Sequence, residues 1–295
     1  MTARSIEKIT MSIFIVGCGY LGERVAAKIS SGGVETHALT RQEERAQEFQ
    51  RRGWHAHRGD WLQSSSLSNL PRVDTLLVAV THRAVDGLPP PQTHILGLMN
   101  LFAALPNPWP RIVYISTTGV YAQDDGDWVN EDSPCQPTRP GGIAALSAED
   151  WLIKQFGNDV TILRMAGLYG PDRIPNAERM RQKAALNPQD HTYLNLIHIE
   201  DAAGYCVEAL QRNHPQTRYL VADGTPIRRS QYYQFLLDFL KIDSQSLAVD
   251  DAPSPLPRRS ESNKRIDVSR LQHDFSYRCR YADFREGIKA SCAEP

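Results

Sequence analysis

The chain has almost no net charge. Its 295 residues carry 33 Lys and Arg against 34 Asp and Glu, a formal charge of -1. That balance gives no electrostatic footprint for nucleic acid or for an anionic membrane surface. Basic residues fall in doublets such as Arg51-Arg52 and Arg228-Arg229, a pattern of solvated surface. Cysteine is sparse, with Cys18, Cys135, Cys206, Cys279 and Cys292 odd in number and widely scattered, and none has Cys-x-x-Cys or Cys/His spacing. Neither a disulfide framework nor a metal site is expected, and reduced thiols in a cytoplasm fit this usage best. No apolar run approaches the length of a membrane span. The first ten residues carry charges but no apolar stretch, which reads as a frayed leader, or as an upstream start with Met11 a second one, rather than as a signal peptide.

What is present begins at residue 12. The apolar run Ser12-Ile13-Phe14-Ile15-Val16 passes directly into Gly17-Cys18-Gly19-Tyr20-Leu21-Gly22, and Val25, Ala26 and Ile29 then recur at helical spacing between charged residues. A strand, a Gly-x-Gly-x-x-Gly turn and a helix N-terminus together make a site for a dinucleotide pyrophosphate. Gly17 allows the tight turn, Gly19 lets backbone approach the phosphates, and Gly22 lets the helix pack on the strand. Helix N–H groups and the positive end of the helix dipole then face the anion. A glycine-rich turn that binds nothing is the alternative.

Strand and helix patterns alternate up to about residue 166. Strands are predicted at 12–16, 34–39, 54–57, 75–80, 111–116 and 160–164, with helices at 21–30, 42–51, 92–104 and 143–156. This alternation predicts an α/β fold with a doubly wound parallel sheet. Its later strands are continuous apolar runs, as expected where both faces are covered. Ligands in such sheets sit beyond the carboxyl ends of the strands. That rule singles out Gly17, Cys18, Gly19, Tyr20, Leu21 and Gly22, then Thr40 and Arg41, Asp60 and Trp61, Val80 with Thr81 and His82, and Ser116 with Thr117. After Gly170 proline, asparagine and arginine become frequent. A nucleotide-binding domain is expected over 11–170, with returning segments near 196–222. These include a helix at 201–211 and a strand at 218–222. A smaller, irregular lobe is expected over 171–295.

Several strings, taken in order, resemble one family. After the glycine loop come Ile115-Ser116-Thr117-Thr118-Gly119-Val120-Tyr121, Glu131-Asp132-Ser133-Pro134 and Leu146-Ser147-Ala148-Glu149. Then follow Leu163-Arg164-Met165-Ala166-Gly167-Leu168-Tyr169-Gly170-Pro171, Leu196-Ile197-His198-Ile199-Glu200-Asp201 and Asn263-Lys264-Arg265-Ile266-Asp267. Together they look like the NAD(P)-dependent epimerase/dehydratase family, the extended short-chain dehydrogenase/reductases. The resemblance implies a Rossmann-type domain with a C-terminal substrate lobe, a nicotinamide cofactor and small-molecule substrates, commonly nucleotide sugars. It also implies pairing of two copies through helices 92–104 and 143–156 into a homodimer.

Two departures stand out. The loop is Gly17-x-Gly19-x-x-Gly22, one residue shorter than the family's usual Gly-x-x-Gly-x-x-Gly. More seriously, the family's Tyr-x-x-x-Lys falls on Gly141 and Ala145, and neither moves a proton. In the family the tyrosine is the general acid/base and the lysine lowers its pKa, one helical turn away on the same face. No tyrosine lies between Tyr121 and Tyr169. Lys154 lies nine positions beyond Ala145, about half a turn round a helix at ~100° per residue. Thr117 matches the family's Ser/Thr that hydrogen-bonds the reacting oxygen. His82, with a pKa suited to proton transfer near neutrality, is a substitute candidate, and Tyr121 and Tyr169 are lesser ones. For each of these three, packing or a surface position is the competing account. N-capping is the expected role of Asp201 and a structural role that of His198. Arg164, in an apolar run, needs anionic or carbonyl partners.

An NAD-selective site ends its second strand with an acid. Here Thr40-Arg41 stands there, which suits the 2′-phosphate of NADP better than the 2′-hydroxyl of NAD; an exposed charge in the next helix's first turn is the alternative. Asp60 matches the family's contact to the adenine amino group. Two functions are expected from these residues. One is an oxidoreductase or epimerase with a non-standard proton relay. The other is a catalytically inactive NAD(P)-binding sensor or scaffold.

Overall fold

A computed structural model describes residues 11–81, 87–182, 191–243 and 262–293. In chain order the first elements are β1 (Ser12–Val16), α1 (Gly22–Ser31), β2 (Glu35–Thr40), α2 (Glu43–Arg51), β3 (His55–Arg58), β4 (Thr75–Val78), α3 (Pro90–Ala104) and β5 (Arg111–Thr117). Then come β6 (Trp128–Val129), α4 (Pro140–Phe156), β7 (Val160–Met165), β8 (Gly167–Tyr169), α5 (Ala177–Arg181), β9 (Tyr193–Leu194), β10 (Leu196–His198) and α6 (Ile199–Gln211). The chain continues with β11 (Arg218–Val221), β12 (Ile227–Arg228), α7 (Arg229–Leu240), β13 (Arg265–Ile266), α8 (Ser269–Asp274) and α9 (Phe284–Ala293).

Seven strands form one parallel sheet in the order β11-β7-β5-β4-β1-β2-β3. This is the doubly wound Rossmann-type sheet. The strand order reverses between β1 and β4, the point at which such sheets open a crevice at their carboxyl ends. Strand β1 explains why an unbroken apolar run is needed. Ile13 and Ile15 face one cluster, with Val25, Ala26 and Ile29 of α1 and Ala202, Cys206 and Ala209 of α6. Phe14 and Val16 face the other, with Leu98 and Leu101 of α3 and Ala148 and Leu152 of α4. All four side chains are at most 1% exposed, and each contributes on the order of 1.5–3 kcal/mol by leaving water. A third cluster, with Tyr169, Met180, Leu196, Tyr232, Leu236, Phe284 and Ile288, lies in the C-terminal half. No helix among the described residues is long and apolar enough to cross a membrane.

Several boundaries differ from the expected ones for identifiable reasons. Helices α3 and α4 begin at Pro90 and Pro140, two and three residues earlier than predicted. Proline is pre-organised for a first helical position, where its missing N–H has no helical partner to lose. Strand β4 ends at Val78 rather than at residue 80. The expectation for Asp201 is corrected outright. His198 is the N-cap of α6, its ring accepting from Glu200 N at 3.3 Å. Asp201 is fully buried inside the helix and accepts from Arg280 N, Tyr281 N and the Tyr277 hydroxyl at 2.8–2.9 Å, which fastens the C-terminal segment to α6.

Candidate functional site

The loop after β1 is shaped by close backbone contacts. Gly17 has φ +97°, and a Cβ there would lie 2.5 Å from the carbonyl carbon of Ala79, so the turn touches the backbone just past β4. A Cβ on Gly22 would lie 2.5 Å from the Gly17 carbonyl oxygen, and α1 therefore enters directly over the turn. At Gly19 no described atom lies within 4 Å of the Cβ position, while its N–H donates to the Gly17 carbonyl at 2.8 Å and its carbonyl accepts from Glu23 N at 2.9 Å, so the space lies beside its Cα. Leu21 caps α1 without a side-chain hydrogen bond; with Glu23 N given to the Gly19 carbonyl, the N–H groups ahead of it face an external acceptor. This arrangement fits a pyrophosphate: one glycine forced, one packed, one open.

Neighbouring side chains brace the loop. Arg45 of α2 donates to the Cys18 carbonyl at 3.2 Å and to Glu23 of α1 at 2.8 Å. Tyr20 donates its hydroxyl to the Pro171 carbonyl at 3.0 Å, and Arg24 and Arg173 lie over its ring. Burial pushes the Cys18 thiol up to about 12, so it stays protonated and unreactive.

At the end of β2 the Thr40 hydroxyl accepts from Gln42 N at 3.3 Å. The Arg41 guanidinium is 74% exposed and 3.6 Å from the Asp60 carboxylate. That pairing supplies the reason for a cation beside a helix N-terminus. An exposed pair of this kind is worth less than about 1 kcal/mol, so the guanidinium is free to turn to a stronger acceptor. Asp60 also receives Leu62 N at 3.0 Å. The Trp61 ring is buried in the core, against Gly97 and edge-on to His94 at 4.8 Å. Val80 borders the crevice by its backbone, whose nitrogen would be 2.7 Å from a Cβ on Gly17. His82 lies outside the described residues.

At the end of β5, two adjacent hydroxyls have different tasks. The Thr117 hydroxyl accepts from Gly119 N at 3.0 Å and stays half-exposed. Ser116 is buried and donates to Glu149 of α4 at 2.5 Å. Glu149 is fully buried and holds the guanidinium of Arg164 from β7 in a fork, with N···O distances of 2.6–3.2 Å. The same guanidinium donates to the Tyr121 hydroxyl at 2.5 Å. Arg164 thus has the anionic partner its burial demands. Glu149 was not legible as that partner, because its only local signal is an acid on an apolar helix face.

The two candidate tyrosines are both taken into the core. Tyr121 is 2% exposed and Tyr169 is fully buried, its ring against Gly287, and burial raises both phenols above their usual range. Neither suits proton exchange near neutrality. In the first turns of α4, no described atom comes within 4 Å of the Cβ position of Gly141, whereas a Cβ on Gly142 would lie 2.3 Å from the Gly119 carbonyl oxygen. Ala145 is fully buried. The helix therefore packs against the 117–121 turn while presenting no titratable group from positions 141 and 145.

One residue near this turn had no role assigned by its sequence string. Lys264 is buried, and its ammonium donates to the Tyr121 carbonyl at 3.0 Å. Its partner lies 143 positions earlier, a separation at which local pattern carries no signal.

A model of the NAD dependent epimerase/dehydratase family matches residues 13–222. Protein YeeZ of Escherichia coli K12 is 26% identical over 279 residues, spanning 92% of this chain and 96% of YeeZ. WbmG of Bordetella bronchiseptica, solved in complex with NAD, has a TM-score of 0.77 at 18% identity, over 98% of this chain and 95% of that one. The UDP-glucose 4-epimerase of Thermotoga maritima, solved with UDP-glucose, has a TM-score of 0.77 at 17% identity, over 95% of this chain and 97% of that one. At these identities the two structures share the fold.

Proposed function

Because the chain belongs to the NAD dependent epimerase/dehydratase family, we propose that it binds a nicotinamide dinucleotide in the crevice between β1 and β4, NADP in preference to NAD, and acts on a nucleotide sugar or a similar carbonyl compound. The observation that carries this reading is a helix start without a side-chain cap, beside a Gly19 whose Cβ position meets no described atom. In this reading residues 17–22 hold the pyrophosphate, Thr40 and Arg41 the 2′-phosphate, and Asp60 the adenine edge. Trp61, Val80 and Ser116 shape the walls from behind. When bound, the cofactor supplies hydride transfer. Thr117 orients the reacting oxygen of the substrate by a hydrogen bond. The segments after residue 170 form the substrate side of the cleft. Exposed Leu96 and Met99 on α3 and Ile143 on α4 support pairing of two copies through those helices.

The open position at Gly141 and the buried Ala145 favour a second reading, in which the protein binds NADP(H) and senses it without turnover. Both readings share one test of the cofactor. NADPH and NADH are titrated calorimetrically into wild type and Arg41→Ala. The expected result is tighter binding of NADPH, with the preference reduced about five- to tenfold in the variant. Equal affinity of wild type for the two cofactors contradicts the assignment of Arg41. Product analysis after incubation with NADP+ and a panel of nucleotide sugars then separates turnover from sensing.

A further inference from the structure

Lys264 precedes β13 and is the only buried lysine among the described residues, at 5% exposure. Its ammonium donates to the Tyr121 carbonyl at 3.0 Å and to the Ser262 hydroxyl. Both acceptors are neutral. An ammonium has three protons, so one has no acceptor among the described residues. The charged groups that act on it are Arg139, just ahead of α4, and Arg229, the first residue of α7. Both are cations. With burial as the larger cause, they hold the amine down to about 8. Among the described residues only cations act on this buried ammonium, a setting in which charge is costly to keep, and such groups concentrate at ligand clefts.

The position of Lys264 in the fold points the same way. Tyr121 follows the turn at the carboxyl end of β5. Asn195 donates its side-chain amide to the Lys264 carbonyl at 2.9 Å, and its own carbonyl accepts from Gly167 N at 3.0 Å, just past β7. β5 and β7 are neighbours in the sheet. The lysine therefore lies over the carboxyl ends of two adjacent strands, where these sheets bind ligands. Its backbone is fixed on either side. The Asn263 carbonyl accepts from Gly126 N and the Asp127 carbonyl from Arg265 N, each at 2.8 Å, and the Asn263 side chain accepts from Tyr193 N at 2.9 Å. Gly142, beside the open Gly141, abuts the Gly119 carbonyl of the same 117–121 turn.

We propose that Lys264 is an anion-binding residue of the substrate cleft, whose third ammonium proton receives a carboxylate or phosphate oxygen of the substrate. The inference rests on the reading that this crevice holds a substrate. A lysine that only ties residues 262–266 to Tyr121 would not respond to a ligand.

The test uses the full chain with NADPH present. Malonate, as a carboxylate probe, and UDP, as a phosphate probe, are titrated into wild type, Lys264→Met and Lys264→Arg between about pH 6.5 and pH 9.5, a window centred on the amine's midpoint near 8. Wild type is expected to bind at least one probe, about tenfold more weakly at the top of the window than at the bottom. Lys264→Met is expected to lose about tenfold at the bottom and to show a flat profile. Lys264→Arg is expected to keep its affinity across the window, because a guanidinium does not titrate there. Binding of malonate alone assigns the site to carboxylates, and binding of UDP to phosphates. The proposal is overturned if neither probe binds wild type, or if Lys264→Met reproduces the wild-type profile. Where Lys264→Met does not fold, the contrast between wild type and Lys264→Arg decides. Titration of NADPH into the same proteins keeps the two levels apart. Loss of cofactor binding by wild type overturns the underlying reading. Intact cofactor binding with no effect of Lys264 overturns this inference alone.

Discussion

Two turns of this molecule each set a required glycine beside an open one, with opposite consequences. In the loop after β1, Gly22 is required by the Gly17 carbonyl 2.5 Å from where its Cβ would stand, while a Cβ on Gly19 would meet no described atom. In the first turn of α4, Gly142 is required by the Gly119 carbonyl at 2.3 Å, while a Cβ on Gly141 would meet no described atom. At Gly19 the opening leaves room beside a helix start that has no side-chain cap, where an anion is favoured. At Gly141 the opening exposes nothing that moves a proton, and Ala145 one turn on is buried. The same device therefore makes a binding surface in one place and leaves a gap in the chemistry in the other.

The contrast can be broken most strongly behind α4. Glu149→Gln leaves the Arg164 guanidinium buried without its anionic partner, and is expected to cost about 3–5 kcal/mol in urea unfolding. A cost under about 1 kcal/mol would mean that the pair is not what anchors α4 to β7. Next in size, Gly142→Ala pushes a methyl group into backbone and is expected to cost about 2–4 kcal/mol, while Gly141→Ala is neutral or stabilises by up to about 1 kcal/mol through helix propensity. Equal effects at the two positions would dissolve the distinction between the required and the open glycine.

The smallest effect is a pH dependence near the β2–β3 edge. Burial, then the adjacent His37 and His55, holds His57 down at about 4, and burial also lowers His37. The folded chain therefore binds fewer protons than the unfolded chain between about pH 4 and the ordinary histidine value of ~6.5. This contribution to stability is complete above about pH 6.5 and declines as pH falls toward 4. Because His57 is only half-buried, the decline is expected to be no more than about 1–2 kcal/mol. His57→Gln should flatten that slope in thermal melts, and an unchanged slope would assign it elsewhere.

What the sequence made legible was local. The strand, the three glycines and α1 follow from spacing within about twenty residues, and the apolar strands betray a sheet covered on both faces. Helices α3 and α4 start earlier than their apolar spacing predicts because Pro90 and Pro140, easily taken for loop, are first-turn residues. Asp201 had the composition of a cap, but His198 holds that position and Asp201 binds a segment some eighty residues further on. Arg164 announced a need for a partner without naming Glu149. Lys264 lies in one of the strings that carry the resemblance, but nothing there showed its burial, which depends on Tyr121 across the fold.

The central claim, that the loop after β1 is a dinucleotide site, is tested most directly by titrating NADPH into wild type and Gly19→Val under matched thermal stability. A Cβ at this position meets no described atom, so the variant should fold and melt as wild type does. Saturable binding by wild type with a loss of at least about tenfold in the variant is the predicted result. No binding by wild type, or equal binding by the two proteins, would contradict it.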